Sequence, residues 1–366
     1  AERKSNKIPE LERGAKPRPI SKLGVIGGGT MGSGITIAAL NSGLPVTMVE
    51  RDQESLERGI ENVKKVYRRD VEKGRLSQEK ADKILSNYST STHLKDLSDK
   101  DMIIEAVFEE LEVKKSVFSQ LNDIAKEGAV LASNTSYLDI DKIASATDRV
   151  GDVIGLHFFS PANIMRLLEI VVPTNVKDDV VATGFQLAKI LKKVPVRAGN
   201  CDGFIGNRVL ENYAKAANYM MEDGTSPYDI DKAIVEFGYP MGPFQMFDLA
   251  GGDIGWADRK RKAAFRSNEE RYVSIADRIC EKGWFGQKTG RGYYKYTPGA
   301  RRGEEDPEVL SIIQEERKVK GIEARSLSSD EIRRRYFAAM VNEGAKVLEE
   351  KMALRPSDID VTKLFG

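Results

Sequence analysis

The 366-residue chain sets 57 Lys and Arg against 56 Asp and Glu, a formal net charge of +1, so no whole-chain field draws it to nucleic acid or to a membrane surface. With 40% hydrophobic residues and no apolar run near the ~20 residues of a spanning helix, the pattern is that of a soluble globular protein of two or three domains, not a disordered or membrane-spanning one. Cys201 and Cys280, the only cysteines, are far apart, which argues against a disulfide framework or a cysteine zinc site and fits a reducing, intracellular compartment; no metal is expected.

Residues 1–20 begin "AERKSNKIPELERGAKPRP", with neither an initiator Met nor an apolar signal core, and read as a basic, proline-bearing linker cut from something longer. From Leu23 the pattern switches to a strand ("LGVIGG"), a glycine loop ("GTMGSG") and a helix ("ITIAALNSG") that Gly43 stops. The short runs "PVTMVE", "DMIIEAV", "AVLASN", "DVIGLHFF" and "VPVRA" follow, separated by polar or amphipathic stretches of helical length. Such alternation implies βαβ units: a Rossmann-type α/β domain over 21–198, with a mostly parallel sheet and helices on both faces.

After Gly199 long helical patterns take over, as in "FIGNRVLENYAKAANYMMEDG" and "DIDKAIVEFG", and predict an all-α second domain. It contains a duplicated helical repeat, with a first copy within 199–300 and a second within 301–366. Both copies run helix, turn, Pro (Pro227, Pro356), Asp-Ile-Asp (Asp229 to Asp231, Asp358 to Asp360), then Phe-Gly. The second stops at Phe365-Gly366 and is expected to be truncated and partly uncapped.

Gly27-x-Gly29-x-x-Gly32 follows a predicted strand and opens a predicted helix, the context in which glycines let a pyrophosphate approach a helix N-terminus. Glu50 ends the next strand, 18 residues after Gly32, where a carboxylate would accept hydrogen bonds from the adenosine ribose and repel a 2′-phosphate. NAD is therefore expected over NADP, although the adjacent Arg51 is what a 2′-phosphate would want. The competing reading is a glycine-rich turn with no ligand.

His157 is one of two histidines and lies in "GLHFFSPANIMRLLEI", at the end of a run that belongs to the nucleotide-binding sheet. A lone histidine on an apolar strand is more often a hydrogen-bonded core group than a catalyst. Here the strand end lies on the carboxyl edge, where ligands bind. Glu169, in the apolar run "LLEIVV", would need a partner, and pairing with His157 would make a proton carrier. His93, in the polar "STHLKDL", is read as structural.

The motifs "GVIGGGTMGSG", "EAVFEELEVK", "SNTS", "GLHFFSPANIMRLLEIV", "GNCDGFIGNR", "GYPMGPFQMFDLAG" and "FGQKTGRGYYKY" resemble, in order, those of L-3-hydroxyacyl-CoA dehydrogenases, from Leu23 to about Tyr296. The "HFFSP" form and the duplicated helices most resemble the dehydrogenase portion of multifunctional hydratase/dehydrogenase enzymes of fatty-acid β-oxidation. That resemblance implies NAD-dependent oxidation of an L-3-hydroxyacyl-CoA, with an enoyl-CoA hydratase module upstream in the parent chain. It leaves the peroxisomal matrix and a bacterial cytoplasm both open.

Carried over by position, the resemblance makes His157 the general acid/base and Glu169 its orienting carboxylate, with Ser136 and Asn207 near the substrate's 3-oxygen. Gly27, Gly29, Thr30, Met31, Gly32, Glu50, Ala106, Glu109, Lys114, Asn134 and Lys288 fall at cofactor positions. Each has a plainer reading: Ser136 as a cap for the helix near Asp139, Asn207 as a polar residue at a helix start, Lys114 on a solvated face. Ser160 departs from the "HFFNP" of single-function relatives. The cluster Arg259, Lys260, Arg261 and Lys262 could meet CoA phosphates or be a solvated helix face. The rival functions are a dehydrogenase of a free hydroxy acid and an NAD-binding but inactive fragment.

Overall fold

The computed structural model describes residues 1–267, 269–299 and 302–366. Its centre is an eight-stranded sheet: β1 (Leu23–Ile26), β2 (Val46–Val49), β3 (Tyr88–Ser91), β4 (Met102–Glu105), β5 (Val130–Ser133), β6 (Val153–Phe158), β7 (Leu167–Val172) and β8 (Val194–Gly199). The strand order is β3-β2-β1-β4-β5-β6-β7-β8. Every pairing is parallel except β6 with β7, so the last two strands run against the other six. The central strands are buried along their whole length, as strands covered on both faces must be. The strand β3 was missed by apolar pattern because "YSTS" is a half-exposed edge, with a single neighbour in β2.

The helices preceding and covering these strands are α1 (Glu2–Ser5), α2 (Pro9–Glu12), α3 (Thr30–Asn41), α4 (Gln53–Glu72), α5 (Gln78–Leu85), α6 (Leu111–Ile124), α7 (Ile140–Ala144) and α8 (Asp178–Ile190). Helix α3 ends at Ser42 and Gly43 adopts φ +81°, the left-handed stop that its position predicts. Asp52 and Ser77 cap α4 and α5 by accepting from the backbone N–H groups of Ser55 and Lys80.

Residues 1–20, expected as a linker, are packed. Ile8 is fully buried in the same core as β1 and α3. Glu10 accepts from Arg197 at 2.9 Å, and Arg18 bridges Asp152 and Asp179 at 2.8 Å each. One apolar anchor and these ion pairs tie down a segment whose basic, proline-bearing composition suggested otherwise.

By its contacts the chain divides into Ala1–Arg208 with Gly344–Gly366, and Val209–Glu343. This differs from the expected segments 21–198, 199–300 and 301–366, because the end of the chain belongs with the sheet. The second unit is built on α9 (Gly206–Asp223), α10 (Pro227–Phe237), α11 (Pro243–Ala250), α12 (Gly252–Ala263), α13 (Ile275–Glu281), α14 (Pro307–Lys320) and α15 (Ser329–Glu349), where α9 and α15 are the helices that continue across the division. It is not all-helical: β9 (Tyr294–Lys295) and β10 (Glu304–Glu305) form an antiparallel ribbon. The last helix, α16 (Pro356–Phe365), packs on β7 and β8.

The second unit is held by two buried carboxyls. Asp231 accepts from the Phe244 and Gln245 N–H groups at 2.9 Å each, capping α11, and from the Tyr294 hydroxyl at 2.8 Å. Asp248 accepts from the Tyr293 and Tyr294 N–H groups at 2.9 Å each. A Cβ on Gly242 would lie 2.3 Å from Asp231, and one on Gly292 would lie 2.0 Å from the Asp248 carboxylate, so "GYPMGPFQMFDLAG" and "GRGYY" are packing motifs here. Burial pushes Asp231 up to about 7 and Asp248 up to about 6.

Both copies of the repeat run helix, turn, then a helix that opens on a proline, Pro227 after α9 and Pro356 after α15, but they differ in which acid is buried. In the first copy Asp231 is the buried acid and Asp229 pairs with Ser226. In the second, Asp360 is exposed and Asp358 is the buried acid, paired with Arg355 at 3.1 Å. No described helix is long and apolar enough to cross a membrane.

Candidate functional site

The strand order reverses at β1 and β4, the switch point at which open α/β sheets bind ligands. The glycine turn lies there. Gly27 adopts φ +100°, and a Cβ on it would sit 2.6 Å from the Ala106 carbonyl oxygen, beyond the end of β4. A Cβ on Gly32 would lie 1.8 Å from the Gly27 carbonyl oxygen, so α3 could not start where it does. Around Gly29 a Cβ would meet nothing within 4 Å, which leaves open space in front of the α3 N-terminus. That terminus has no side-chain cap, and Gly29 and Thr30 are exposed there with Met31 half-buried, an arrangement whose free N–H groups suit an anionic pyrophosphate. Glu50, just past β2, accepts from the Gly28 N–H at 2.6 Å and from the Arg51 N–H at 3.1 Å. Arg51 turns instead to Asp52, at 2.9 Å.

These residues fit a dinucleotide, and the carboxylate at Glu50 leads to an expected preference. NADH should bind the folded chain at least about tenfold more tightly than NADPH, followed by fluorescence titration, because like charges near a surface cost of order 1–2 kcal/mol. Equal affinities would remove the role given to Glu50.

A second cluster joins the ends of β4 and β5. Glu105, fully buried, accepts from Lys114 at 2.6 Å, from the Ser133 hydroxyl at 2.6 Å and from the Val107 N–H at 2.7 Å. Glu109 accepts from the Ser136 N–H at 2.7 Å and the Thr135 hydroxyl at 2.5 Å, and lies 3.3 Å from Lys114. The solvated-face reading of Lys114 is thereby overturned, since it is 1% exposed. The cap of α7 is Asp139 itself, accepting from the Asp141 N–H, and not Ser136. Sequence reasoning misses Glu105; the signal is a carboxylate closing the apolar run "DMII", as Glu169 interrupts "LLEIVV". Asn134 accepts from the Phe158 N–H at 2.9 Å and so ties the end of β5 to that of β6.

His157 and Glu169 are register partners in the antiparallel β6/β7 pair. His157 Nδ1 lies 2.7 Å from Glu169 Oε2, with the two residues 4% and 0% exposed. The other carboxylate oxygen accepts from the Ile205 and Gly206 N–H groups, at 3.1 and 2.8 Å, where α9 begins. A buried carboxylate with these three partners is held in one orientation, and it holds the imidazole. Phe159 and Phe204 pack on the imidazole at ring-centroid distances of 4.5 and 5.4 Å. Because β6 runs with the parallel strands and β7 against them, the end of one and the start of the other lie at the same sheet edge. Asn207 follows Gly206 in the first turn of α9, as its plainer reading held. The loop between the two strands is clamped by Lys193, which donates to the Ala162 and Met165 carbonyls at 2.5 Å each.

Lys288 belongs to the second unit, where it pairs with Asp253 at 2.5 Å. The basic cluster is largely engaged within its own unit: Arg259 with Asp277 at 2.6 Å, Arg261 with Asp258 at 2.7 Å, Lys262 with Glu211 at 2.6 Å, and Lys260 over the Trp256 ring at 3.2 Å. Among the described residues no group of three or more His, Cys, Asp or Glu could hold a metal ion.

A glycine turn at the switch point of a doubly wound sheet, followed by a predominantly helical unit, defines the class of dinucleotide-dependent dehydrogenases. Comparison with known proteins narrows the class. Residues 22–201 match the family model described as 3-hydroxyacyl-CoA dehydrogenase, NAD binding domain, and residues 203–296 match that family's C-terminal domain. The chain belongs to the 3-hydroxyacyl-CoA dehydrogenase family. It is 42% identical over 366 residues to the peroxisomal bifunctional enzyme of Cavia porcellus, an alignment covering 96% of this chain and 50% of that protein. Among solved structures it is similar to FadB2 of M. tuberculosis (35% identity, TM-score 0.72, 76% of this chain and 100% of that one). It is also similar to the dehydrogenase part of multifunctional enzyme 1 from C. elegans (30% identity, TM-score 0.68, 96% and 79%). The chain spans about half the length of the curated relatives it matches.

Proposed function

We propose that this chain oxidises an L-3-hydroxyacyl-CoA to the 3-ketoacyl-CoA, as the NAD-dependent dehydrogenase portion of a longer β-oxidation enzyme. The observation that carries the reading is the buried His157–Glu169 pair at the carboxyl edge of a sheet that also bears a dinucleotide turn. With Nδ1 engaged by Glu169, Nε2 is the nitrogen that takes the substrate's hydroxyl proton, and Glu169 stabilises the imidazolium that results. NAD, held by the turn from Gly27 to Gly32 and by Glu50, supplies the hydride acceptor. Ser136 and Asn207 orient the 3-oxygen toward the imidazole. Ala106, Glu109, Lys114 and Asn134 shape the cofactor side of the cleft, Lys114 by holding Glu105 and Glu109 in place.

The names of the relatives support an acyl-CoA substrate, a partner module such as an enoyl-CoA hydratase in the same parent chain, and a peroxisomal setting over a bacterial one. The test is acetoacetyl-CoA-dependent loss of NADH absorbance by the whole chain, where turnover is expected. Turnover of a free 3-hydroxy acid with none of the thioester would favour the rival dehydrogenase, and NADH binding without any turnover would favour the inactive fragment.

A further inference from the structure

Residues 159–166 join the two strands that carry His157 and Glu169, and a buried lysine ties this loop down. Within it residues 161–165 form a single turn, in which the Pro161 carbonyl accepts from the Ile164 and Met165 N–H groups at 2.9 Å each. The Ala162 and Met165 carbonyls, which that turn does not use, are taken at 2.5 Å each by the Lys193 ammonium. Lys193 stands between α8 and β8, just after Lys192 with its left-handed φ of +55° and just before Val194, whose N–H donates to the Arg166 carbonyl at 2.7 Å. It is 9% exposed, and burial pushes its ammonium down to about 8, with no carboxylate among the described residues to offset the shift. At neutral pH it is still largely a cation, so both bonds are charge-assisted.

The same loop rests on the helix that the glycine turn opens. A Cβ on Gly34, in the second turn of α3, would lie 3.1 Å from both the Cβ and the backbone N of Ala162, so helix and loop approach about as closely as a glycine permits. Ala162 is 1% exposed and belongs to the same core as Ile35 and Ile37 of α3. At its start the loop carries Phe159, whose ring packs on His157 with centroids 4.5 Å apart. We propose that Lys193 is a positioning residue for the oxidation: by pinning the loop to α3 it fixes where His157 stands relative to the glycine turn at the start of that helix. The inference rests on His157 being the proton-transfer group and on the turn from Gly27 to Gly32 being the dinucleotide site. Its physical basis is that proton and hydride must leave the same carbinol in one geometry, and a misplacement of ~1 Å costs about 10²-fold in rate. Packing of Ala162 alone would leave the two loop carbonyls without partners, and the lysine supplies both.

The test uses the whole chain. Lys193→Met should lower kcat for 3-hydroxybutyryl-CoA oxidation by about 10–10²-fold, while KM for the thioester and NADH affinity by fluorescence titration stay within about threefold of wild type. Hydrogen exchange at the Ile164 and Met165 amides, read without cofactor or substrate, should become at least about tenfold faster. Lys193→Arg, which keeps a cation with several donors, should recover most of the kcat and of the protection. Gly34→Ala disturbs the same contact from α3 and should show the same split between kcat and NADH affinity, and it stands in for Lys193→Met should that chain not fold. In the double variant the two losses should not multiply. A folded Lys193→Met chain with wild-type kcat, one that loses catalysis and NADH affinity together, or losses that multiply in full would each overturn the proposal. A wild-type chain without thioester turnover would refute the proposed function instead, and unchanged exchange in Lys193→Met would then still overturn the clamp.

Discussion

His157→Gln should lower kcat by about 10²–10⁴-fold in the acetoacetyl-CoA assay while leaving NADH affinity near wild type. Two features make the expectation specific. The glycine turn and the acidic strand end beside it, Gly27, Gly29, Gly32 and Glu50, lie at β1, β2 and α3, whereas His157 is on β6, so the substitution does not touch them. Glutamine also retains a polar end that can meet the Glu169 oxygen, so the carboxylate that His157 now engages at 2.7 Å keeps a partner and the Ile205 and Gly206 bonds survive. The loss should therefore be in proton transfer and not in folding. A stopped-flow or steady-state measurement showing turnover within a few-fold of wild type would withdraw the general-base role, and equal loss of NADH binding would show that the site had collapsed instead.

Lys114→Ala should destabilise the first unit by about 3–5 kcal/mol, the usual consequence of removing one member of a buried ion pair. Glu105 is completely enclosed and would keep only the Ser133 hydroxyl and the Val107 N–H as partners. Glu109 would lose its cation as well, loosening the turn at Ser136 that it organises. The double variant Glu105→Gln with Lys114→Met should recover much of that loss, because it removes the unpaired charge along with its partner. Urea denaturation of the three chains measures both. A single-variant cost under about 1 kcal/mol would mean that water reaches Glu105.

Lys114 also shows where reading the sequence stops. A lysine on an amphipathic helix has every local reason to face water, and only the arrival of the end of β4 beneath α6 makes it the partner of a buried glutamate. Ser136 is a comparable case: it stands three residues before Asp139, which caps α7, and its own backbone N–H is taken by Glu109, 27 positions earlier in the chain. The strand β3 escaped because an edge strand carries no apolar run, and the first 20 residues passed for a linker because a single buried Ile8 is a weak signal in a basic segment. In each case the deciding partner is remote in sequence, so no window along the chain contains it.

The local rules were sufficient for the α/β character of the first unit, for six of the strands with their intervening helices, and for the glycine turn. These depend on periodicity, on glycine's tolerance of positive φ and on helix stops, all encoded within a few residues. The seven motifs between Leu23 and about Tyr296 were also enough to indicate the family by resemblance. What only the tertiary structure decided is whether the expected pairing of Glu169 with His157 is made. Whether Glu169 reaches His157 depends on β7 running antiparallel to β6 in one register, since a shift of one residue would turn the carboxylate to the other face of the sheet. The assignment of α16 to the sheet-bearing unit, packed on β7 and β8, likewise follows from burial of apolar surface between segments nearly 200 residues apart, which no local pattern specifies.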